Sequence, residues 1–327
     1  MKLMNLIRSS KKNPPPPFID ATTDVNVLRD KERAMIAACQ RSTWNQPATD
    51  EKDYQVQTRD GSSITVRVYR KPNQTQAGPM MTMLHGGGWV LGDLENEAMF
   101  CRQWCEIANG VAVNVGYRLA PEHKFPIPVN DSYDALEWAV ANASLLGADP
   151  SKGLILGGVS AGANMAAVIS HLWRDDHHHI PLTGLYLSVP PVLYPEAVPE
   201  KYKSQYLSQK ENENGLFLNK KAATFFHDHY AADPLSPLFS PFIFPSGHHN
   251  LPPTYFQVCG LDQLQDDGFL YEKVLREEYG IETRLDFYPG LPHYFWAWWP
   301  ESDFTKKHWK DSIAGLTWLL EKSQRDA

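Results

Sequence analysis

The chain has 327 residues, of which 43% are hydrophobic and 21% charged, and its formal net charge is -7 at pH 7. This composition excludes a disordered chain, because it supplies enough apolar side chains for a large core. The negative charge argues against nucleic acid and anionic membrane surfaces as partners, since both bind to basic faces.

No hydrophobic run approaches the roughly 18 residues of a transmembrane helix, and the N-terminal apolar stretch is too short for a signal peptide. We therefore expect a cytoplasmic protein. Its four cysteines are too few and too scattered for a disulfide framework. Cys101 and Cys105 share one helical face, but without a second pair of ligands they do not predict a zinc site. We interpret the histidines at 177–179 as a solvated loop and expect no metal and no cofactor.

Residues 1–50 differ in pattern from the rest of the chain and are predicted to form an N-terminal cap segment. Lysines and a proline run at 11–17 indicate an extended lead-in. Residues 24–39 have helical spacing, which lets Leu28 and Ile36 share one apolar face.

Strands and helices alternate through residues 51–327, the predicted catalytic domain. Two β-branched runs joined by a turn at Asp60–Gly61 predict a hairpin over residues 54–69. Further strands are predicted at 80–84, 111–115, 154–157, 185–189, 255–259 and 284–288, and helices at 94–108, 130–146, 161–173, 269–279 and 304–321. This alternation predicts an α/β fold with a doubly wound, mostly parallel sheet, to which the hairpin adds an antiparallel edge.

Residues from about 190 to 250 interrupt this alternation. They are rich in proline, tyrosine and polar residues, with one helical stretch at 219–229. Because an insertion of this length in a compact domain is usually functional, we expect it to form a helical cap over the sheet together with the N-terminal segment.

The glycine–serine motif at 158–162 is the strongest local signal of chemistry. Its sequence, Gly158-Val159-Ser160-Ala161-Gly162, matches G-x-S-x-G and lies between a predicted strand and a helix of small residues. In that context the motif forms a sharp turn that presents a serine nucleophile. For the motif alone, a glycine-rich turn without chemistry is the alternative.

A second glycine cluster, HGGGW at residues 85–89, directly follows the predicted strand at 80–84. Acyl transfer creates a negatively charged oxygen in its transition state. Backbone N–H groups can stabilise that oxygen where glycines leave the backbone accessible. We therefore predict an oxyanion hole in this loop, with a merely flexible loop as the alternative.

A serine hydroxyl needs a base to become nucleophilic. In this fold the acid and then the histidine follow the serine along the chain. Asp262 and His293 each come just after a predicted strand, at the sheet edge where such folds build their sites. Asp266 and Asp267 are rivals for the acid, but they suit the N-terminus of the next helix. We predict Ser160 as nucleophile, His293 as base and Asp262 as the acid that orients it.

Together these stretches resemble the hormone-sensitive-lipase-like family of α/β hydrolases, also called family IV esterases. The matching positions are residues 85–89, YRLAPE at 117–122, residues 158–162, Asp262 with Asp266, and His293. The resemblance implies the α/β-hydrolase fold, with Gly87, Gly88 and Ala161 as the donors of the oxyanion hole. It also implies that residues 117–122 form a structural loop without direct chemistry.

Four positions depart from the family's pattern. Val159 stands where aspartate is usual, Gln263 where proline is, and Tyr294 where glycine is. Gly116 stands where an aspartate is common. These departures concern the shape of the site and its substrate more than its mechanism. Chains with departures of this kind resemble the enzymes of fungal biosynthetic clusters that remove acyl groups from polyketides.

Aromatic residues are concentrated beside the predicted catalytic histidine, at Tyr294, Phe295, Trp296, Trp298 and Trp299. Our hypothesis is that Trp89, Tyr294 and Trp296 line an apolar or aromatic pocket for the substrate. Core packing under the last helix is the alternative.

These observations predict a serine carboxylesterase that hydrolyses a small apolar or aromatic ester, such as a polyketide-derived one, through an acyl-enzyme. The alternative is a lyase, dehydratase or cyclase that uses the same pocket on a polyketide-like substrate. A non-catalytic binding module is disfavoured, because related receptors have lost the histidine that is present here as His293. Since similar proteins commonly dimerise, a homodimer is one expected state.

Overall fold

The computed structural model describes residue 19 and residues 23–40, 47–176 and 180–323. The lead-in predicted at 11–17 and the histidines at 177–179 lie outside the described residues. Within the described ranges, no helix has both the length and the apolarity needed to cross a bilayer.

A single eight-stranded sheet forms the centre of the molecule. Its strands are β1 (Asp50–Gln57), β2 (Ser63–Arg70), β3 (Met80–Leu84), β4 (Val111–Gly116), β5 (Leu154–Val159), β6 (Gly184–Ser188), β7 (Thr254–Leu261) and β8 (Thr283–Pro292). Their order in the sheet is β1-β2-β4-β3-β5-β6-β7-β8. The pairs β1–β2 and β2–β4 are antiparallel and the others are parallel. The predicted fold class, a mostly parallel sheet with an antiparallel leading hairpin, is confirmed.

Helices cover both faces of this sheet. They are α1 (Val25–Gln40), α2 (Ala98–Ala108), α3 (Ile127–Ala141), α4 (Ala143–Leu146), α5 (Ala161–Asp176), α6 (Ser208–Glu211), α7 (Lys220–Tyr230), α8 (Gln265–Glu278), α9 (Phe295–Trp298) and α10 (Asp303–Ser323). Successive strand side chains point to opposite faces. In β3, accordingly, Met80 and Leu84 join one apolar cluster whereas Met81 and Met83 join the other. Helices α3 and α5 pack on the first face, and α2 and α10 pack on the second.

Several elements differ from their predicted bounds, among them α8, which begins at Gln265 rather than at residue 269, and for two helices the reason is local. Helix α2 begins at Ala98 rather than at residue 94, because the side chains of Asp93 and Asn96 accept hydrogen bonds from nearby backbone N–H groups. Such bonds compete with the first turn of a helix. The next predicted helix is divided into α3 and α4 at Asn142, whose amide side chain bonds back to the preceding turn.

The predicted insertion runs between β6 and β7. It contains α6, α7 and three short 3₁₀ segments, Pro195–Ala197, Glu200–Gln205 and Pro241–Ile243. The end of α7 joins the main body, since the Phe125 N–H donates to the Tyr230 carbonyl at 3.0 Å. Helix α1 packs against α9. The division into a cap segment at 1–50 and a catalytic domain at 51–327 stays a prediction.

Candidate active site

Ser160 lies in the turn between β5 and α5. Its φ is 51°, in the left-handed region that non-glycine residues seldom adopt. The turn is also tight: a Cβ built on Gly162 would lie 2.1 Å from the Leu84 carbonyl oxygen, and one on Gly158 would lie 2.2 Å from the Gly162 carbonyl carbon. Only glycine fits at both positions, which explains the spacing of the motif.

His293 lies between Ser160 and Asp262. Its Nε2 is 3.0 Å from Ser160 Oγ, and its Nδ1 is 2.7 Å from Asp262 Oδ2. The other carboxylate oxygen, Oδ1, accepts a hydrogen bond from the Leu264 N–H at 3.0 Å. The exposed fractions of Ser160, His293 and Asp262 are 9%, 8% and 1%. This arrangement allows the imidazole to take the hydroxyl proton while the carboxylate fixes the orientation of the ring.

The topology of the sheet brings these distant residues together. Ser160 follows β5, Asp262 follows β7 and His293 follows β8. Because β5 to β8 are neighbouring parallel strands, their carboxyl ends lie at one edge of the sheet, where open α/β sheets bind ligands.

The loop after β3 supplies free backbone donors near the serine. Gly87 and Gly88 both have positive φ, 118° and 60°, and the Leu91 N–H closes the loop by donating to the Gly87 carbonyl at 2.8 Å. Within the described part of the chain, the N–H groups of Gly87 and Gly88 donate to no protein acceptor. Ala161 opens α5, so its N–H has no intrahelical partner either. Such groups can stabilise a negatively charged oxygen.

Gly86 ties this loop to its surroundings. A Cβ built on Gly86 would lie 3.6 Å from the Ser160 Cβ, so the loop packs directly beside the serine. The Gly86 N–H donates to Glu97 Oε1 at 3.0 Å. The Tyr117 hydroxyl donates to the His85 carbonyl at 2.7 Å. This contact fits the structural role that the family resemblance implies for residues 117–122.

Helix α1 holds the far side of the same loop. Arg29 donates from Nε to the Val90 carbonyl and from Nη2 to the Ala120 carbonyl, both at 2.9 Å. Glu32 accepts a hydrogen bond from the Gly92 N–H at 2.7 Å. The N-terminal segment therefore supports the glycine loop directly.

The insertion covers this loop with aromatic rings. A Cβ built on Gly88 would lie 2.4 Å from Cγ of Phe226 in α7, so that ring rests directly on the glycine. Trp89 stacks on Tyr230 of the same helix, with ring centroids 4.6 Å apart and an interplanar angle of 3°. Aromatic rings of the insertion therefore pack directly against residues 88 and 89 of this loop.

Of the three predicted substrate-pocket residues, Tyr294 and Trp296 pack against each other with ring centroids 4.9 Å apart, whereas Trp89 belongs to the apolar cluster on the other face of the sheet. Trp89 is 3% exposed and packs between the loop and the cap. Trp296 is also 3% exposed and stacks on His308 of α10 at 4.1 Å, which is the core-packing alternative. The Tyr294 hydroxyl faces Glu97 Oε2 at 3.4 Å. A substrate contact for these three side chains stays a prediction.

Asp266 and Asp267, the rival acids, bind the insertion. Asp266 Oδ2 accepts hydrogen bonds from the Leu207 and Ser208 N–H groups at 2.6 and 2.7 Å. Asp267 is fully buried and accepts the Leu193 N–H at 2.9 Å. Their position in the first turn of α8 matches the prediction, but their carboxylates hold the cap to that helix.

Two carboxyl groups behind the glycine loop, the buried Glu97 and the half-buried Glu32, could not be anticipated from the sequence. Burial raises the pKa of Glu97 to about 8 and that of Glu32 to about 7. An acidic residue just before a helix usually signals a favourable helix-dipole contact, so the sequence gives no reason to expect Glu97 to lie beside a catalytic loop.

A family model described as the alpha/beta hydrolase fold matches residues 81–297. An AB hydrolase superfamily protein of Schizosaccharomyces pombe is 39% identical over 84% of this chain and 81% of its own length. A versiconal hemiacetal acetate esterase of Dothistroma septosporum is 33% identical over 90% of this chain and 89% of its own.

Among solved structures, the crystal structure of vibralactone cyclase superposes with a TM-score of 0.87 at 34% identity, covering 94% of this chain and 92% of that one. The similar proteins therefore include enzymes with esterase names and enzymes with a cyclase name. The chain belongs to the α/β-hydrolase family, in the hormone-sensitive-lipase-like group that its motifs resemble.

Proposed function

We propose that the protein is a serine carboxylesterase that hydrolyses a small apolar or aromatic ester through an acyl-enzyme. The observation that carries this proposal is the 3.0 Å separation of Ser160 Oγ and His293 Nε2, with Asp262 behind the imidazole. The free N–H groups of the glycine loop beside that serine complete the requirements of acyl transfer.

In the first half of the reaction, Ser160 Oγ attacks the ester carbonyl carbon as His293 Nε2 takes its proton. The carbonyl oxygen becomes an oxyanion, which the N–H groups of Gly87, Gly88 and Ala161 stabilise. The carbon–oxygen bond to the alcohol then breaks, and the imidazolium returns its proton to the leaving alkoxide.

In the second half, water replaces the alcohol. His293 takes a proton from water as its oxygen attacks the acyl carbon of the Ser160 ester. A second oxyanion forms in the same place and collapses, so that the carboxylic acid leaves and Ser160 recovers its proton. In each half, Asp262 stabilises the imidazolium that forms when His293 takes up the proton.

Two observations support the proposed substrate class: the ring of the insertion that packs on the glycine loop, and the name of one relative. The ring of Phe226 fills the space beside Gly88 where a side chain would lie, and such crowding next to the proposed oxyanion hole favours a short acyl group. The relative from Dothistroma septosporum is named for a hemiacetal acetate, which is also a short acyl ester. A polyketide-derived acetate ester is therefore the proposed substrate type.

Profiling p-nitrophenyl esters from two to twelve carbons tests this function, with Ser160→Ala as the matched variant. The wild type should prefer the shortest chains, and the variant should lose activity by about 10³-fold or more. A fluorophosphonate probe should label the wild type at Ser160. Full activity of the alanine variant would refute the proposal.

A cyclase is the second candidate, because the vibralactone cyclase structure is so similar over nearly the whole chain. The same acyl-enzyme would form, but a nucleophile within the substrate would replace water. Turnover in ¹⁸O-water separates the two: hydrolysis places ¹⁸O in the released acid, whereas cyclisation yields a product without the label.

A further inference from the structure

Glu97 joins the two loops on which the proposed reaction depends. Its Oε1 accepts the Gly86 N–H at 3.0 Å, and Gly86 directly precedes the oxyanion donors. Its Oε2 lies 3.4 Å from the Tyr294 hydroxyl, which donates to it, and Tyr294 directly follows His293. One side chain therefore contacts the neighbour of the oxyanion hole and the neighbour of the catalytic base.

The carboxyl group of Glu97 is not used to stabilise its own helix. Glu97 occupies the N-cap position of α2, yet its side chain makes no capping hydrogen bond there. The residue is fully buried, which is costly for a carboxyl group unless its oxygens are hydrogen-bonded. Both of its oxygens are instead directed to the active-site loops.

The surroundings of Glu97 favour its neutral form. The titratable groups that interact electrostatically with Glu97 are carboxyls, phenols and thiols. They are Glu32 and Cys39 of α1, Asp93 before α2, Cys101 of α2, Tyr186 of β6, and Tyr117 and Tyr294 of the loops. Burial is the main reason that the pKa of Glu97 rises to about 8, and Glu32 adds to it. A neutral carboxyl group can still accept the hydrogen bond from the Gly86 N–H, and its other oxygen can form a hydrogen bond with the Tyr294 hydroxyl.

We propose that Glu97 is a positioning residue that holds the glycine loop in register with the loop of His293. This inference rests on the proposed hydrolase function. The neutral carboxyl also keeps negative charge away from the place where the oxyanion forms. Ionisation of Glu97 would place a like charge behind the oxyanion hole and weaken its stabilisation.

The test compares Glu97→Ala and Glu97→Gln with the wild type on p-nitrophenyl acetate. Alanine removes both contacts, so kcat should fall roughly 10- to 100-fold, the scale of a small misplacement of catalytic groups. KM should stay within about threefold, because Glu97 does not contact the substrate. Glutamine can accept from Gly86 and donate to Tyr294, so it should restore most of the lost kcat.

The matched control is Glu95→Ala, two positions before Glu97. Glu95 is partly exposed and forms an ion pair with Arg67 at 2.6 Å, so its loss should leave kcat near the wild-type value. Thermal unfolding of each variant shows whether it is folded.

The dependence of kcat/KM on pH supplies a readout that a purely structural role would not change. In the wild type, kcat/KM should decline as the pH rises through about 8, where Glu97 ionises. The glutamine variant cannot ionise and should lose that decline. This profile decides the question even if the alanine variant does not fold, because an unchanged alkaline decline in the glutamine variant would overturn the proposal.

Ser160→Ala is measured in parallel to separate this inference from the proposed function. Activity in that variant would reject the serine mechanism itself. If it is inactive while folded Glu97→Ala keeps wild-type kcat, the hydrolase stands and the positioning role is wrong. Equal damage by alanine and glutamine would also overturn it, since the two differ in the contacts they preserve.

Discussion

The carboxylate of Asp262 determines which nitrogen of His293 carries the proton. Oδ2 lies 2.7 Å from Nδ1, so a charged carboxylate favours a proton on Nδ1. The lone pair of Nε2 is then directed to Ser160 Oγ. The Leu264 N–H holds the second oxygen, which fixes the plane of the carboxylate. In the proposed triad, the tautomer of the base is therefore favoured by a residue that need not touch the substrate.

Replacing Asp262 by asparagine should lower kcat on the order of 10³- to 10⁴-fold, because an amide beside Nδ1 favours the wrong tautomer. Steady-state kinetics on p-nitrophenyl acetate measure this loss. Asp266→Asn is the matched control. Asp266 accepts hydrogen bonds from backbone N–H groups of the insertion, so this substitution should lower kcat far less. The reverse ranking would mean that the acid has been assigned to the wrong residue.

At the scale of elements, α7 packs on the glycine loop that we propose as the oxyanion hole. Its Phe226 ring lies where any side chain at position 88 would have to go. The glycine loop and the cap helix therefore share one contact surface, and we expect the size of residue 226 to affect which acyl groups fit beside Gly88.

Phe226→Ala should shift the chain-length preference toward longer acyl groups. Removing the ring opens space over Gly88, so the ratio of kcat/KM for p-nitrophenyl octanoate to that for the acetate should rise roughly tenfold. Leu235→Ala is a suitable control, because Leu235 belongs to the same insertion and is 59% exposed. An unchanged ratio in the Phe226 variant would show that this ring does not limit the substrate.

The sequence predicted the central elements well because both faces of the middle strands are buried. Strands such as β3 and β5 are continuous apolar runs, and those runs are visible without any tertiary information. Two of the bounds that failed lie where a polar side chain competes with the backbone, at Asn96 and Asn142. Such competition depends on a local geometry that composition does not reveal.

The candidate site divides in the same way. Ser160 and the glycine loop lie in contiguous motifs, so their neighbourhood could be predicted from the order of strands. Glu97 could not be predicted, because its two partners are 11 and 197 residues away. The pocket role predicted for Trp296 depends on its place beside His293, yet the ring stacks on a helix further along the chain.

At the scale of the whole molecule, buried polar bonds dock the insertion onto the sheet domain. Asp267 accepts the Leu193 N–H, and its Oδ2 lies 3.0 Å from the Tyr206 hydroxyl. That hydroxyl donates to the Leu193 carbonyl at 2.6 Å. Burial raises the pKa of Asp267 well above its usual value, so the neutral acid can complete the network by donating to Tyr206.

Asp267→Ala should lower the free energy of unfolding by about 1–3 kcal/mol, because it leaves the buried Leu193 N–H unpaired. Asp267→Asn should lose much less, since its amide can accept from Leu193 and donate to Tyr206. Urea unfolding of both variants at pH 7 checks this ranking. If asparagine destabilised the protein as much as alanine, Asp267 would have to be charged in the folded state.

The hydrogen bonds between α1 and the glycine loop limit how far the chain can be shortened from its N-terminus. A chain that starts at β1 would still encode Ser160, Asp262, His293 and every backbone donor. It would nevertheless lack Arg29, whose guanidinium group donates hydrogen bonds to the carbonyls of Val90 and Ala120. Trimming at the border predicted from the sequence would thus remove a support of the proposed active site, although every proposed reacting group would remain.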